Sequence, residues 1–478
     1  MINPRSTLTA VAAAALLAGC SFIPAYERPA APIPSAYATG PADTADTAGT
    51  PGAASVAPWQ DYFADPQLRQ LIEAALANNR DLRVAVLNIE QARATFQVRR
   101  SDLYPTVGLG ANASRGPSAA NGDLTNSFSV GLALSAWELD FFGRIASLKE
   151  QALAQYLATE EGRNAAQVSL VAAVANGWLT LLADEELLEL SRQTLASREE
   201  SVRLTKMRLD AGVASALDFR QAQSQTLAAQ ATLAQQKRQR ALDENALALL
   251  LGQSLPDDVR ASLAGSQLAN APAMTPLPAG LPSELLTRRP DIRQAEQQLI
   301  AANANIGAAR AAFFPRISLT AQAGTASSEL SGLFKSGSWG FTIAPSLLLP
   351  IFDAGRNQAN LESAQAGRSI AIAQYEKAIQ TAFREVSDAL AGQATLQEQS
   401  QAQRQQAEAE SARLQLADLR YRNGVSSYLD LLDAQRSLFA TQQGVVQVRL
   451  AQLQNQVALY KALGGGAPVS TPAADTPS

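Results

Sequence analysis

The two halves of this chain repeat one another, and that repeat limits the possible folds more than any other feature. Leu103-Tyr104-Pro105 in the first half recurs as Phe313-Phe314-Pro315, displaced by 210 positions. Asp210-Ala211-Gly212-Val213 matches Arg422-Asn423-Gly424-Val425 at an offset of 212. An offset that changes so little along the copies implies that one structural unit has been duplicated. Any fold proposed for the chain must therefore contain the same unit twice.

Each copy shows the same order of predicted elements: a helix, two strands, a very long helix, a tight turn and a returning helix. In the first copy these lie near residues 66–102, 103–112, 127–140, 143–209 and 217–251. A helix of about 65 residues is about 100 Å long at a rise of 1.5 Å per residue. A globular core does not need such a helix. The helices are rich in Ala and Gln, and their periodicity would also suit a soluble coiled coil.

The predicted strands alternate between an apolar face and a face of small or polar residues. In the second strand, Phe128, Val130, Leu132 and Leu134 share one side, and Ser, Gly and Ala occupy the other. A half-buried sheet in a soluble domain has the same pattern, but it would bury its apolar face against helices. Strands of about ten residues are long enough to cross a hydrocarbon layer when tilted.

Aromatic residues cluster at one end of these strands, as in the interface girdle of a membrane barrel. They are Tyr104, Trp137, Phe141, Phe142, Phe313 and Phe314. Four strands cannot close a barrel, and open sheet edges are not tolerated in lipid, so we expect oligomerisation to complete it. Beyond the N-terminus, no run reaches the roughly eighteen apolar residues of a spanning helix. Any passage through a bilayer is therefore predicted to use strands.

The N-terminus resembles a bacterial lipoprotein signal. Arg5 precedes an apolar stretch at 8–17, and the chain's one cysteine, Cys20, closes the sequence Leu17-Ala18-Gly19-Cys20. An apolar stretch of about ten residues is typical of a secretory signal, so residues 1–19 are predicted to be cleaved and Cys20 to carry covalent lipid. Ser21 follows the cysteine, and by resemblance to sorted lipoproteins the absence of Asp at this position favours the outer membrane. The alternatives are a buried structural cysteine or a chance match.

The remaining boundaries follow from composition. Residues 20–58, rich in Pro, Ala, Thr and Gly, are predicted to form a lipidated extended tether. The first copy spans 59–263 and the second 283–464. Residues 264–282 between them contain several prolines and are predicted to be an equatorial linker. Residues 465–478 are predicted to be a disordered tail.

Composition argues against several classes of function. The chain has no histidine and one cysteine, so it lacks the commonest general base and the commonest transition-metal ligand. A net charge of −4 gives no basic surface for nucleic acid. We therefore predict no cofactor, no metal centre, no nucleic-acid partner and no catalysis. An enzyme would have to use carboxylate pairs, of which Asp430 with Asp433 is the best candidate, and no pocket-forming framework accompanies that pair.

Asp430 and Asp433 are spaced i, i+3 and share one helix face just after the second turn. Threefold symmetry would bring six such carboxylates together, and we expect protons or bound cations to relieve their repulsion. The alternative is a solvated helix face, because acidic residues in a first turn also complement the helix dipole.

These features together resemble the TolC-type outer-membrane efflux channels, in particular the lipoprotein branch typified by OprM. The resemblance rests on the N-terminal signal and on Trp137 to Arg144, Gly212 to Asp218, Arg288 to Asp291, Gly307 to Pro315 and Leu432 to Leu438. It implies an α+β membrane protein in which three chains contribute four strands each to one 12-stranded barrel, continued by a 12-helix periplasmic α-barrel. The implied partners are a periplasmic adaptor and an inner-membrane transporter of the resistance-nodulation-division type. The implied function is the exit duct of a tripartite multidrug efflux system for small toxic compounds.

The resemblance also implies roles for residues at the helix turns. The implied adaptor contacts are Gly212, Val213, Ala214, Gly424, Val425 and Ser426. The implied periplasmic gate comprises Asp430, Asp433, Tyr421, Asp218 and Arg422. Ser426 departs from the family pattern, because TolC itself has an arginine there, and Arg422 is the candidate to replace it.

Two further functions share most of these features. A duct for protein secretion would have the same architecture, and lipidation with closeness to the OprM branch favours efflux by association alone. A structural lipoprotein spanning the periplasm would have the helices without strands of membrane length.

Overall fold

The computed structural model describes residues 21–34, 37, 57–117, 122–268, 274–275 and 288–466. The predicted signal peptide 1–19, the lipidation site Cys20 and almost all of the predicted tail lie outside the described residues. Parts of the predicted tether and linker lie outside them too.

The first copy contains six helices and two strands among its described residues. They are α1 (Trp59–Tyr62), α2 (Pro66–Asn78), α3 (Arg80–Ser101), β1 (Val107–Pro117), β2 (Leu124–Leu139), α4 (Arg144–Asp210), α5 (Ala216–Leu251) and α6 (Asp257–Ser262). The second copy contains α7 (Pro290–Ala311), β3 (Arg316–Ser327), a 3₁₀ turn (Leu330–Gly332), β4 (Trp339–Leu348), α8 (Arg356–Arg422) and α9 (Tyr428–Ala462). Helix α7 lies 210 positions after α3, and α8 lies 212 positions after α4. The duplicated unit is therefore present in the helices at the two offsets found in the sequence.

The prediction of one helix over 66–102 is wrong, because Asn79 divides it. Asn79 is extended, with a ψ of 130°. Its side-chain oxygen accepts a hydrogen bond from the Leu82 N–H at 2.9 Å, and its amide nitrogen donates to the Leu250 carbonyl at 2.9 Å. Asparagine competes with helical hydrogen bonds in this way and is favoured at helix N-termini. The side chain therefore ends α2 and starts α3.

The first strand begins later than predicted. The Leu103 N–H donates to the Arg100 carbonyl and the Tyr104 N–H to the Ser101 carbonyl, at 3.3 and 2.9 Å. The chain is still turning off the end of α3 there, so the strand starts only at Val107 and runs on to Pro117 instead of ending near residue 112.

The four strands form one antiparallel sheet in the order β1-β2-β3-β4. Opposed residues share a face, and Leu132 lies opposite both Leu109 and Ala323. The apolar face holds Val107, Leu109, Phe128, Val130, Leu132, Leu134, Ile317, Leu319, Phe341, Ile343 and Leu347. This face is open to solvent: Leu109 is 78% exposed and Ile343 62%. The alternation predicted from the sequence is confirmed, and none of the described helices packs over the apolar face of the sheet.

Some of the predicted aromatic girdle is brought together beside the sheet. The rings of Phe142 and Phe314 stack with centroids 5.0 Å apart, and Phe22 stacks on the same Phe314 ring at 4.6 Å. Tyr104 and Phe313 remain exposed. That these aromatic residues form a girdle at the membrane interface stays a prediction.

The chain divides into two compact units. The first comprises Met1–Ala31, Leu87–Glu161 and Arg293–Lys377 and contains the sheet. The second comprises Pro32–Val86, Gly162–Ile292 and Ala378–Ser478. Its core includes Trp178, whose indole N–H donates to Asp65 at 2.9 Å, and the stacked rings of Tyr62 and Tyr460, 4.1 Å apart.

Helix α4 contains a stretch that is long and apolar enough to cross a membrane, the one such helix among the described residues. The helix passes on mean hydropathy, whereas the prediction concerned uninterrupted apolar runs, and polar residues such as Gln167 and Asn176 interrupt this one. Just over half of the stretch is buried in the protein, and Trp178 and Leu181 of this helix belong to the core of the second unit. A buried core helix passes the same test, so composition is weak evidence for a helical span.

Asp184 of α4 makes stability depend on pH. It is 6% exposed, and burial together with the neighbouring Asp243 of α5 raises the pKa of Asp184 to about 7, although Arg240 acts against the rise. The folded state thus keeps a proton that the unfolded chain releases near pH 4. The contribution of Asp184 to the free energy of unfolding is therefore full below pH 4 and is lost as the pH rises through 7. We expect wild type to lose about 2 kcal/mol of unfolding free energy between pH 5.5 and 7 through this residue.

The measurement is thermal unfolding of the detergent-solubilised protein at both pH values. Asp184→Asn should remove most of the pH dependence, and Asp61→Asn, at an exposed position, should leave it unchanged. Equal pH dependence in all three proteins would show that Asp184 is ionised when folded.

Candidate functional site at the helix turns

Backbone hydrogen bonds close the turn between α4 and α5 at its glycine. The Gly212 N–H donates to the Leu209 carbonyl and the Val213 N–H to the Arg208 carbonyl, both at 2.9 Å. Gly212 has a φ of +75°, the left-handed conformation that this helix ending requires.

The turn between α8 and α9 repeats this arrangement. The Gly424 N–H donates to the Tyr421 carbonyl at 3.0 Å, and the Val425 N–H donates to the Arg420 carbonyl at 2.9 Å. Gly424 has a φ of +71°. Both turns therefore have a glycine at the position with positive φ, which residues with a Cβ rarely adopt.

Alanine at Gly424 should lower stability through backbone strain alone. A Cβ added there would meet no atom within 4 Å, so the expected cost is the left-handed conformation, about 1 kcal/mol. Gly367, in the N-terminal part of α8, has equally open surroundings, and alanine there should instead raise stability by about 0.5–1 kcal/mol. Thermal unfolding of both variants checks the opposite signs, and a loss at both positions would contradict the explanation.

The aspartates that follow the turns, Asp218 and Asp430, occupy equivalent positions in the two copies. The Ser215 N–H donates to the Asp218 carboxylate at 3.2 Å, while the Asp218 N–H donates to the Ser215 hydroxyl at 3.1 Å. Ser427 and Asp430 make the same reciprocal pair at 3.2 and 3.3 Å. Each aspartate therefore completes a capping box that starts its helix.

Asp433 has a different partner. Its carboxylate accepts a hydrogen bond from the Arg413 guanidinium of α8, and Arg413 also pairs with Glu410 at 3.1 Å. Hydrogen bonds to Asp433 and then Glu410 raise the pKa of Arg413. The sequence predicts that protons or bound cations relieve the repulsion of these carboxylates; in the structure, Asp430 caps α9 and Asp433 is paired with Arg413. Within the described ranges, no group of three or more Cys, Asp or Glu residues is placed to hold a metal ion.

Tyr421 lies between a cation and a second aromatic ring. The Arg208 guanidinium stands 4.6 Å from the centroid of the Tyr421 ring, a cation–π distance, and the Tyr428 ring is 5.5 Å away. Tyr428 is 4% exposed and packs with Ala222. Burial raises the pKa of Tyr428, and its hydroxyl has no hydrogen-bond partner in the part of the chain that is described. Sequence reasoning missed both Arg208 and Tyr428.

Arg422, the candidate to replace the missing arginine, has a largely exposed side chain. Its guanidinium pairs with Asp418 on the same helix at 2.8 Å. The hydroxyl of Ser426 is buried and makes no hydrogen bond to the described residues. Arg208, not Arg422, is the cation on the Tyr421 ring.

The tips of both turns expose apolar side chains. Val213 and Val425 are exposed at equivalent positions, and so are Leu217 and Leu429 in the first turns of α5 and α9. Gly212 and Gly424 are exposed beside them, while Ala214 and Ser426 are half-buried. The leucines were not among the predicted contact residues, although the repeat in the sequence could have indicated them.

A family model described as outer membrane efflux protein matches residues 71–253 and 281–465. The chain belongs to the outer membrane efflux protein family. The two matched segments correspond to the two copies of the duplicated unit, and the resemblance to TolC-type channels is confirmed.

Three similar proteins agree with this membership. The toluene efflux pump outer membrane protein TtgC of Pseudomonas putida is 46% identical over 97% of this chain and 96% of its own length. The antibiotic efflux pump outer membrane protein ArpC of Pseudomonas putida has the same identity and coverage. The crystal structure of the open state of the Neisseria gonorrhoeae MtrE outer membrane channel has a TM-score of 0.83 and 42% identity, covering 94% of this chain and 99% of that one. This chain is an outer-membrane component of an efflux system.

Proposed function

We propose that the chain is the exit duct of a tripartite multidrug efflux system. It would pass small toxic compounds from a resistance-nodulation-division pump of the inner membrane, through a periplasmic adaptor, to the outside. The printed names of the relatives, which refer to toluene and to antibiotics, support small toxic compounds as the substrate class. The structure contributes one observation above all: a four-stranded sheet with an exposed apolar face and two unpaired edges.

That sheet supports a homotrimer. Unpaired backbone groups are costly in hydrocarbon, so β1 and β4 need partners, and three copies would supply twelve strands in a closed barrel. The exposed apolar side chains would then contact outer-membrane lipids. The long helices would continue the barrel as a 12-helix periplasmic α-barrel.

The internal repeat indicates how one chain of the proposed trimer meets the next. Within the chain, Leu139 of β2 lies opposite Ile317 of β3. The position 212 after Leu139 is Ile351, and the position 210 before Ile317 is Val107. An equivalent contact between neighbouring chains would place Ile351 of one chain against Val107 of the other. Ile351 is 94% exposed and Phe352 is 89% exposed, so both need such a cover.

The two helix turns would meet the adaptor and form the gate. Exposed Val213 and Val425 suit an apolar contact, and we assign the adaptor contact to Gly212, Val213, Ala214, Gly424, Val425 and Ser426. We assign the gate to Asp218, Tyr421, Arg422, Asp430 and Asp433, with Arg208 added through its contact with Tyr421. Cation binding at Asp430 and Asp433 would be moderated by Arg413.

The mature chain would be held to the outer membrane twice, by strands and by lipid on Cys20. Several acyl chains at about 0.8 kcal/mol per buried methylene make such an anchor firm.

Deleting the gene and measuring susceptibility to antibiotics, dyes and detergents tests the proposal. We expect increased susceptibility to several unrelated compounds, restored by a plasmid copy of the wild-type chain. Unchanged susceptibility together with the loss of a secreted protein from the medium would favour the secretion duct instead.

A further inference from the structure

Residues 22–28, which we call the strap, begin two residues after the predicted lipidation site and lie against α7. The Phe22 ring stacks on Phe314 at 4.6 Å, and the Phe22 carbonyl accepts a hydrogen bond from Arg310 at 3.3 Å. The Pro24 carbonyl accepts a hydrogen bond from Asn303 at 2.7 Å. The sequence predicts an extended tether over residues 20–58, and the strap shows that its first residues are docked along one helix.

The buried carboxylate of Glu296 on α7 binds the C-terminal end of the strap. Arg28 donates two hydrogen bonds to Glu296, at 2.7 and 3.0 Å, and the Tyr26 hydroxyl donates a third at 3.0 Å. Glu296 is buried, and burial with the charge of Glu296 raises the pKa of Tyr26, so the phenol remains a donor. Bidentate arginine–carboxylate pairs are among the strongest hydrogen-bonded contacts in proteins.

Gly307 makes room for the strap in the middle. A Cβ at this position would lie 2.6 Å from the Ile23 side chain and 2.6 Å from the Ser147 hydroxyl. The absence of a side chain therefore lets the strap backbone approach α7 closely.

The equivalent helix of the first copy lacks these features. At positions 210 earlier, α3 has Val86 in place of Glu296, Arg93 in place of Asn303 and Gln97 in place of Gly307. The docking groove therefore belongs to the second copy alone, and the two copies differ at the residues that hold the strap.

We propose that the strap fixes the lipid anchor beside the sheet, with Glu296 as the positioning residue. This inference rests on the lipidation of Cys20 in the proposed function. Cys20 is two residues before Phe22, so its Cα lies within about 7 Å of the docked Phe22 backbone. Phe22 is part of the ring stack with Phe314 and Phe142, next to the start of β3. The acyl chains therefore enter the bilayer at the boundary of the protein's own strands, and the anchor is a short fixed link instead of a long flexible one.

Proteolysis of the full-length protein tests the strap. Cells are labelled with tritiated palmitate, and the purified protein in detergent is treated with chymotrypsin, which cleaves after Phe22 and Tyr26 once the strap has left α7. We expect Glu296→Gln to speed cleavage about tenfold or more, because a charge-assisted contact is lost. Arg28→Gln, which changes only the strap, should speed cleavage after Phe22 similarly. Glu90→Gln, the same change at an exposed site on α3, should match wild type.

Measurement of the intact mass follows the cleavage, and the radioactive label reports whether lipid is attached. The docking of the strap and the lipidation of Cys20 can therefore be disproved separately. Equal cleavage rates in wild type, Glu296→Gln and Arg28→Gln, with the label present, would overturn the strap and leave lipidation standing. Absence of label from every variant would overturn the proposed lipidation, and with it the positioning of an anchor, whatever the cleavage rates.

Discussion

An arginine at Ile343 should prevent the chain from assembling in the outer membrane, whereas an arginine at the neighbouring Thr342 should be tolerated. Ile343 lies on the exposed apolar face of β4 and Thr342 on the opposite face. If the apolar face meets lipid, an arginine near the bilayer midplane costs about 2–4 kcal/mol for each chain, and a trimer incurs that cost three times. The opposite face would then line the proposed barrel, where a charge can be hydrated.

Outer-membrane fractions of both variants, run unheated and heated on a gel, give the measurement. We expect a heat-modifiable trimer for wild type and Thr342→Arg, and little or none for Ile343→Arg. The reverse result would place the lipid on the other face of the sheet, and equal trimer in both would argue that neither face contacts lipid.

Substitutions at Asp433 and Arg413 should change cation block of the channel in opposite directions. If Asp433 lies at the constriction, Asp433→Ala removes a carboxylate from each chain and should raise the half-blocking Mg²⁺ concentration about threefold or more. Arg413→Ala leaves that carboxylate without its cation and should lower the same concentration. The double variant Asp430→Ala, Asp433→Ala should also raise the conductance.

Single-channel recordings in planar bilayers, with Mg²⁺ titrated into the bath, compare these variants. Asp388→Ala provides the control, because it removes an exposed ion pair with Arg384 elsewhere on α8. A shift in the same direction for Asp433→Ala and Arg413→Ala would contradict a charge-controlled gate at Asp433. No shift in either would remove this residue from the constriction.

Features determined by local sequence could be predicted. Helix α4 was expected over 143–209 and occupies Arg144–Asp210, because Gly212 supplies a left-handed ending that few other residues adopt. The faces of the strands followed from their period of two, which needs no knowledge of a partner. The repeat added the second copy of both features.

Features that depend on distant partners could not be predicted. Asn79 interrupts a helical pattern because its amide meets the Leu250 carbonyl, 171 residues away. The strap docks because Arg28 meets Glu296 at a separation of 268 residues. Local periodicity indicates neither the Leu250 carbonyl nor Glu296 as a partner. The helix around Asn79 and the strap could therefore be predicted only from composition and propensity.

The candidate site shows the same division. The capping role of Asp430 was available from Ser427, three residues earlier, as a standard helix-start pattern. The cation beside Asp433 was not, because Arg413 lies on the preceding helix and meets it only after the chain reverses at Gly424. The contact of Arg208 with Tyr421 joins the two copies and has no signature in either one.

The most direct test of the duct itself is electrical. Purified full-length protein, shown by unheated gels to be trimeric, is added to a planar lipid bilayer under voltage clamp. The account predicts discrete conductance steps with a preference for cations. Trimer that inserts stably into the bilayer and passes no current would contradict it.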